Sequence, residues 1–152
     1  MTKRETIPVL IIVTLIAVLD GALKYFAIQM LPAEHTAELS RILAFVLHKN
    51  PGITFDIEVP FLLLAPITVV LILFMSMKAY SIYATQPRVS VGIYSAVLGA
   101  TDNLIDRAVH GFTTDYIMFF RTSVLNLADI LILFGALSVL VYYKNNPHRR
   151  RA

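Results

Sequence analysis

The sequence contains neither cysteine nor tryptophan. The absence of cysteine excludes disulfide bonds, cysteine-ligated zinc and a thiol nucleophile. The absence of tryptophan leaves seven tyrosines and nine phenylalanines to form any aromatic belt at a membrane surface. The histidines have no His-x-x-x-His spacing, which argues against a zinc site, and we expect neither a metal nor another cofactor. They are His35, His48, His110 and His148.

Charged residues are also scarce. They make up 15% of the 152 residues, whereas hydrophobic residues make up 57%, and the mean hydropathy is +0.71. Soluble domains are about 45–50% apolar, so the composition predicts a single integral membrane domain over residues 1–152. The formal net charge is +3, but the basic residues are not gathered on one stripe, and nucleic-acid binding is therefore not expected.

Four stretches of the sequence have the length and apolar content of membrane-spanning helices. We predict them at residues 7–28, 59–77, 89–107 and 122–143. The second is the clearest, because its 19 residues carry no charge. The third reaches membrane length only by including polar residues, namely Asp102, Asn103, Asp106 and Arg107. The predicted fold is an all-α membrane protein with four transmembrane helices and a small extracytoplasmic β-sheet or loop region.

The first apolar stretch has two interpretations. A basic start followed by 13 apolar residues, Ile7 to Leu19, is also typical of a signal peptide. The stretch resumes after Asp20 and continues through Ile28, and no small-residue cleavage pattern closes it. We therefore interpret it as a transmembrane helix.

The connection between the first two helices contains a strand pattern. Between residues 53 and 59 apolar and polar residues alternate, which is the period of a β-strand, and Asn50-Pro51-Gly52 just before it is a turn signal. The apolar-rich residues 41–48 are a candidate partner strand. The alternation fits either a small sheet half-submerged in the membrane or a hairpin at its surface.

The charges predict how the helices are oriented. With four spans both termini lie on one side, and eight of the thirteen basic residues fall there or in the connector 78–88. Basic residues accumulate on the cytoplasmic side of membrane proteins, so we expect both termini in the cytoplasm. Nine of the ten acids then fall in the outer loops or at the outer ends of helices.

Four of the ten acids lie between residues 99 and 129, with apolar segments on both sides. Placing an ionised Asp in a membrane helix costs about 2.5–3.5 kcal/mol, and ordinary packing does not require it. The connection between the last two helices is short enough to bring Asp115 near Asp129, which shares a helical face with Asn126. Two close carboxylates share a proton, so one can activate water while the other donates a hydrogen bond to a carbonyl. We predict this pair to be catalytic, as in metal-free peptide hydrolysis.

The other charged residues have plainer interpretations. Asp106 with Arg107, and Asp20 with Lys24, can be ion pairs that neutralise each other. Asp20 and Lys24 have the i,i+4 spacing that brings side chains together on a helix. Asp102 is interpreted as a residue that caps a helix or faces water. Asp129 has no basic residue within a helical turn, so ion pairing does not explain its place in an apolar segment.

Five short patterns, taken together and in order, resemble the motif series of signal peptidase II. This bacterial lipoprotein signal peptidase is an aspartic endopeptidase with four transmembrane helices. The resemblance runs from Asp20 to Asp129 and covers most of the chain. The patterns are Asp20-x-x-x-Lys24, Asn50-x-Gly52-x-x-Phe55, Asn103-x-x-Asp106-Arg107, Asp115-Tyr116 and Asn126-x-Ala128-Asp129.

The resemblance implies roles for these residues. Asp115 and Asp129 would be the catalytic pair, and the substrate would be a prolipoprotein cut just before its diacylglyceryl-modified cysteine. The residues implied to shape the substrate pocket are Asn50, Gly52, Asn103, Arg107 and Asn126. Those implied to support it are Asp20, Lys24 and Asp106. The protein would act as a monomer among membrane lipids, in the bacterial cytoplasmic (inner) membrane, with its active site toward the outer side.

The sequence departs from the family pattern at a few positions. Asp102 stands where a Gly usually precedes the motif Asn, and Leu125 stands where a Phe is usual. Ile53 and Thr54 replace two small residues. These differences concern the shape and lipid preference of the pocket more than the catalytic pair.

Two other functions fit parts of the sequence. A phospholipid head-group transferase would use clustered Asp residues, such as Asp102 and Asp106, to hold a divalent metal, but the closely spaced Asp and Gly pattern expected there is absent. A small proton-coupled transporter would use Asp129 as its proton site, but the inner halves of the predicted helices lack charges.

Overall fold

The computed structural model of the protein describes residues 3–33, 42–53, 57–120 and 123–146. These residues form four α-helices and five short strands. The helices are α1 (Lys3–Met30), α2 (Phe61–Ile82), α3 (Pro87–His110) and α4 (Leu127–Asn145). The strands are β1 (Leu43–Asn50), β2 (Gly52–Ile53), β3 (Ile57–Glu58), β4 (Thr113–Phe119) and β5 (Ser123–Leu125). Both α1 and α3 extend past the predicted spans at each end, whereas α2 begins two residues later and ends five residues later than predicted.

Three of the helices, α1, α2 and α4, are long and apolar enough to cross a membrane. In the most apolar window of α2 no residue is buried inside the protein, and large side chains such as Leu62 and Val70 are exposed. So much outward-facing apolar surface is stable in hydrocarbon but not in water. The structure therefore confirms the coarse prediction of a mostly helical membrane protein with a small antiparallel sheet.

The helix α3 differs from the other three because it packs against all of them. It approaches α4 closely, since a Cβ atom on Gly99 would collide with the carbonyl oxygen of Ala128, and one on Gly135 with that of Gly92. Small residues at such contacts let helix backbones come together in membranes. A helix surrounded in this way can turn polar side chains inward, and Asn103 is buried.

The predicted start of the last helix at residue 122 is wrong. Ser123–Leu125 form β5, and α4 begins only at Leu127, after Asn126. The Asn126 side chain accepts the backbone N–H of Asp129 at 2.9 Å, and the Asp129 carboxylate accepts the backbone N–H of Asn126 at 3.3 Å. This reciprocal capping box satisfies two backbone groups that a helix start leaves open. Asp129 therefore lies in the first turn of α4 and not two turns inside it.

The predicted pairing of residues 41–48 with residues 53–59 is also wrong. The observed partner of β1 is β4, which also pairs with β5, so the antiparallel sheet has the order β1-β4-β5. The strands β2 and β3 pair only with each other. Alternation identifies a strand but not its partner, which packing selects. Arg41 and the middle of the predicted alternating strand, Thr54, Phe55 and Asp56, lie outside the described residues.

Candidate active site

The predicted site residues meet where α3 ends and α4 begins, beside β1 and β4. Hydrogen bonds and ion pairs join all ten into one network. Six elements of the fold contribute to it. Its members are Asp20 and Lys24 from α1, Asn50 and Gly52 from β1 and β2, Asn103, Asp106 and Arg107 from α3, Asp115 from β4, and Asn126 and Asp129 at the start of α4.

One asparagine connects the two carboxylates predicted to act together. The Nδ2 of Asn126 donates to the Oδ1 of Asp115 at 2.6 Å, while its Oδ1 accepts the N–H of Asp129 at 2.9 Å. The other Asp115 oxygen accepts from the Nδ2 of Asn50 at 3.2 Å. The residue that caps α4 therefore also holds the strand carboxylate beside the helix carboxylate.

The environment of Asp115 favours its protonated form. Burial raises the pKa of Asp115 to about 7, and the negative charge of Asp129 acts in the same direction. The hydrogen bonds from Asn50 and Asn126 and the charge of His48 lower the pKa by less. His48 lies directly opposite Asp115 in the β1–β4 pairing. Near neutral pH a substantial fraction of Asp115 is therefore protonated.

The carboxylate of Asp129 is connected to α1 through α3. The Nδ2 of Asn103 donates to the Oδ1 of Asp129 at 2.9 Å, and the Oδ1 of Asn103 accepts from the Nζ of Lys24 at 2.7 Å. Lys24 is also 2.9 Å from Asp20, so the ion pair suggested by their spacing forms. Both are buried, and a buried ion pair needs further hydrogen bonds to be stable.

Asp106 and Arg107 bind partners elsewhere in the fold instead of each other. Asp106 accepts the backbone N–H of Thr114 at 2.6 Å and pairs with His110 at 2.7 Å. Arg107 donates to the carbonyl oxygen of Gly52 at 2.6 Å. Asp106 thus anchors β4 next to Asp115. Arg107 anchors the turn after β1.

That turn is held tightly. The N–H of Gly52 donates to the side chain of Asn50 at 3.0 Å, and a Cβ atom on Gly52 would collide with the carbonyl of Ile57. The asparagine that contacts Asp115 is therefore oriented by a turn that Arg107 fixes from α3.

Two residues of the network lie outside the predicted set. The Tyr116 hydroxyl donates to Asp20 at 2.6 Å, and the same carboxylate oxygen accepts the N–H of Leu127 at 2.8 Å. Burial raises the pKa of Tyr116, so its hydroxyl remains a donor. Asp102 pairs with Lys24 instead of capping a helix or facing water alone. The only sequence signal for Tyr116 was its place next to Asp115. Neighbouring residues of a strand point to opposite faces, so Tyr116 points away from Asp115, and it is nevertheless buried because both faces of β4 are covered.

Asp102 and Asp106, the two acids considered for a metal site, lie beside the ammonium group of Lys24. Lys24 forms an ion pair with Asp102 and lies 3.9 Å from Asp106. In the described part of the chain no group of three or more His, Cys, Asp or Glu residues is placed to hold a metal ion.

Comparisons with known proteins agree with this fold. The sequence profile of the family described as Signal peptidase (SPase) II matches residues 12–144. The lipoprotein signal peptidase of Bartonella tribocorum is 30% identical over 148 residues, covering 93% of this chain and 89% of that protein. The lipoprotein signal peptidase of Brucella ovis is 31% identical over 146 residues, covering 88% of each. A solved structure described as a bacterial membrane enzyme shares the fold, with a TM-score of 0.76 at 17% identity, covering 95% of this chain and 90% of that one.

Fold and comparisons together define a peptidase of a bacterial membrane. The chain belongs to the signal peptidase II family.

Proposed function

We propose that the protein is an aspartic endopeptidase that removes the signal peptide of lipid-modified prolipoproteins, cutting just before the diacylglyceryl-cysteine. Its relatives are lipoprotein signal peptidases over most of their length. The observation that carries the proposal is the pair Asp115 and Asp129, held by the single side chain of Asn126.

In the proposed reaction the two carboxylates have different roles. Asp115, whose pKa is raised to about 7, holds the shared proton and donates a hydrogen bond to the scissile carbonyl. Asp129 accepts a proton from water, which attacks the carbonyl carbon. The amide of Asn103 and the N-terminus of α4 stabilise negative charge on Asp129. As the tetrahedral intermediate collapses, Asp129 gives the proton that it took from water to the leaving amine, and the peptide bond breaks. Asp115 again holds the shared proton.

The remaining site residues position this pair and the substrate. Asn50, Gly52 and Arg107 form the turn beside Asp115 and shape the pocket for the peptide. Asn103 and Asn126 orient the carboxylates. Asp20, Lys24 and Asp106 support them from α1 and from the base of α3. No cofactor is part of the proposed reaction.

The location of the substrate explains why a peptidase site of this kind lies in a membrane protein. A lipidated substrate is retained in the bilayer by its acyl chains, so its scissile bond lies near the membrane surface. We infer that α3 crosses with the other three helices, since it packs among them, and that the site faces the outer side of the cytoplasmic membrane. The excess of basic residues near the termini and in the connector 78–88 supports this orientation. The proposed partners are the prolipoprotein and membrane lipids, with the protein acting as a monomer and without nucleic acid.

The direct test is cleavage by the purified protein in detergent. A precursor carrying the diacylglyceryl group should yield the mature fragment, with the new N-terminus at the modified cysteine. The same precursor without the lipid should be cleaved far more slowly. Failure to cleave the lipidated precursor would contradict the proposed function.

A chelator separates this proposal from metal-dependent chemistry. Cleavage should proceed unchanged in excess EDTA, because carboxylates and water suffice for the proposed steps. Loss of activity in EDTA that added divalent metal restores would favour the metal-dependent alternative.

A further inference from the structure

The ammonium group of Lys24 is surrounded by oxygen atoms from α1 and α3. A lysine side chain has three N–H donors and no acceptor. Here the ammonium donates to the Oδ1 of Asn103 at 2.7 Å and to the carboxylate of Asp102, and it forms an ion pair with Asp20 at 2.9 Å. Lys24 is buried, with a side chain that is 3% exposed. The ammonium is therefore held between an acid of α1 and an acid of α3, and it donates to the Asn103 amide oxygen.

This contact determines which end of the Asn103 amide faces Asp129. The C=O and NH2 ends of an amide have nearly the same size, so their hydrogen-bond partners select the orientation. Lys24 and Asn126 both present donors, and the Oδ1 of Asn103 accepts from both, at 2.7 and 3.2 Å. The Nδ2 end is thereby left to donate to Asp129 at 2.9 Å. The opposite orientation would place NH2 against an ammonium group and an oxygen against a carboxylate.

We propose that Asp102 is a positioning residue of the catalytic pair, which acts by holding the Lys24 ammonium against Asn103 and so directing the Asn103 amide toward Asp129. This inference rests on the proposed function. Asp102 has no contact with Asp115 or Asp129 among the hydrogen bonds and ion pairs of the described residues. In this proposal its effect passes through Lys24 and Asn103.

The test compares Asp102→Ala with Thr101→Ala in the purified protein. Thr101 is the adjacent residue of α3, and among the described residues its hydroxyl bonds only to the carbonyl of Val97, in the same helix, at 2.7 Å. We expect Asp102→Ala to lower kcat by about 100-fold, because misplacement of a catalytic group by about 1 Å has an effect of that size. KM should stay within about twofold, since the turn that shapes the peptide pocket is not altered. Thr101→Ala should keep both constants near those of the wild type.

Asp102→Asn provides an independent measurement. The amide keeps an oxygen acceptor for Lys24 but loses the charge, and charge-assisted hydrogen bonds are roughly twice as strong as neutral ones. We expect kcat to fall about tenfold, between the wild type and Asp102→Ala, again without a change in KM. This partial rescue depends on the acceptor for Lys24 and would not follow from loss of a surface charge.

Each outcome bears on the proposal. Wild-type kcat in either Asp102 variant, or a loss that lies in KM alone, would overturn it. Loss of the helical circular dichroism signal in Asp102→Ala, together with normal kcat in Asp102→Asn, would give Asp102 a purely structural role and also overturn it. If the wild-type protein cleaves the lipidated precursor while these variants behave like Thr101→Ala, only this inference fails. If the wild type does not cleave, the proposed function fails first.

Discussion

Replacing Asp115 by Asn should change how the stability of the protein depends on pH. Asp115 is 2% exposed, and its pKa rises from an ordinary value of 3.8 to about 7. Above pH 3.8 the unfolded chain loses this proton, whereas the folded protein keeps it until about pH 7. The folded state therefore binds more protons over this interval, and its stability falls as the pH rises. Above pH 7 both states are ionised, and the loss is complete.

The size of the effect follows from the pKa. A rise of about 3 in the pKa corresponds to about 4 kcal/mol at 1.36 kcal/mol for each pKa unit. Asn at this position does not titrate, so the variant avoids the loss. An Asn side chain would also turn an NH2 group toward one of its two donors, Asn50 or Asn126, at a cost of about 1–3 kcal/mol. That cost is the same at every pH. It therefore shifts the difference in unfolding free energy between variant and wild type by a constant and does not alter how that difference changes with pH.

Thermal unfolding followed by far-ultraviolet circular dichroism measures this dependence. Its signal comes from the backbone, so it does not need the tryptophan or cysteine that the sequence lacks. Between pH 5 and pH 8 the Tm of Asp115→Asn relative to the wild type should rise by about 6–12 °C, since about 3 kcal/mol of the effect lies in this interval and each kcal/mol shifts Tm by about 2–4 °C. Glu5→Gln, which changes an exposed carboxylate in the first turn of α1, should show no such rise. A difference between Asp115→Asn and wild type that is constant with pH would refute the reasoning.

Three further substitutions test other parts of the network. Arg107→Ala removes the donor to the Gly52 carbonyl and should raise KM for the lipidated precursor about tenfold, with little change in kcat, because it loosens the turn that shapes the pocket. Asn126→Ala removes both the cap of α4 and the donor to Asp115; kcat should fall about 100-fold, and the cap alone should cost about 0.5–2 kcal/mol of stability in thermal unfolding. Gly99→Ala introduces a Cβ that collides with the carbonyl of Ala128 and should lower Tm by separating α3 from α4.

Distinct results would contradict each of these expectations. A folded Arg107→Ala protein with an unchanged KM would remove Arg107 from the pocket, and Arg88→Ala, at the other end of α3, is the matched control. Normal kcat in Asn126→Ala would show that the pair does not need its shared asparagine. A Tm at or above that of the wild type in Gly99→Ala would show that the two helices need not approach so closely.

Local patterns in the sequence predicted much of the fold. Apolar length identified the helices, because a membrane span needs about 20 apolar residues wherever it lies. Alternation predicted one strand after Asn50, whereas the described ends of that stretch are two strands, β2 and β3, that pair with each other. It also could not identify the partner of β1, which lies beyond two helices at Thr113–Phe119. The start of α4 was missed because residues 122–126 contain no charge, Pro or Gly that would mark a boundary. The capping box of Asn126 and Asp129 becomes evident only as backbone geometry.

The site was predictable as a set of residues but not as a set of contacts. Spacing placed Lys24 one helical turn after Asp20, and that ion pair forms. Nothing in the spacing indicated that Asp102 would share the same ammonium, because this depends on which sides of α1 and α3 face each other. The strand neighbours Asp115 and Tyr116 both face polar partners, which alternation alone does not predict.

The most direct test of the account is cleavage of a diacylglyceryl-modified precursor by Asp115→Asn and Asp129→Asn, each compared with the wild type and with Glu5→Gln. The shared proton requires both carboxylates, so each of the two variants should insert and fold but release no mature fragment, while Glu5→Gln should cleave at the wild-type rate. Cleavage near the wild-type rate by either Asp115→Asn or Asp129→Asn would contradict the assignment of these residues as the catalytic pair.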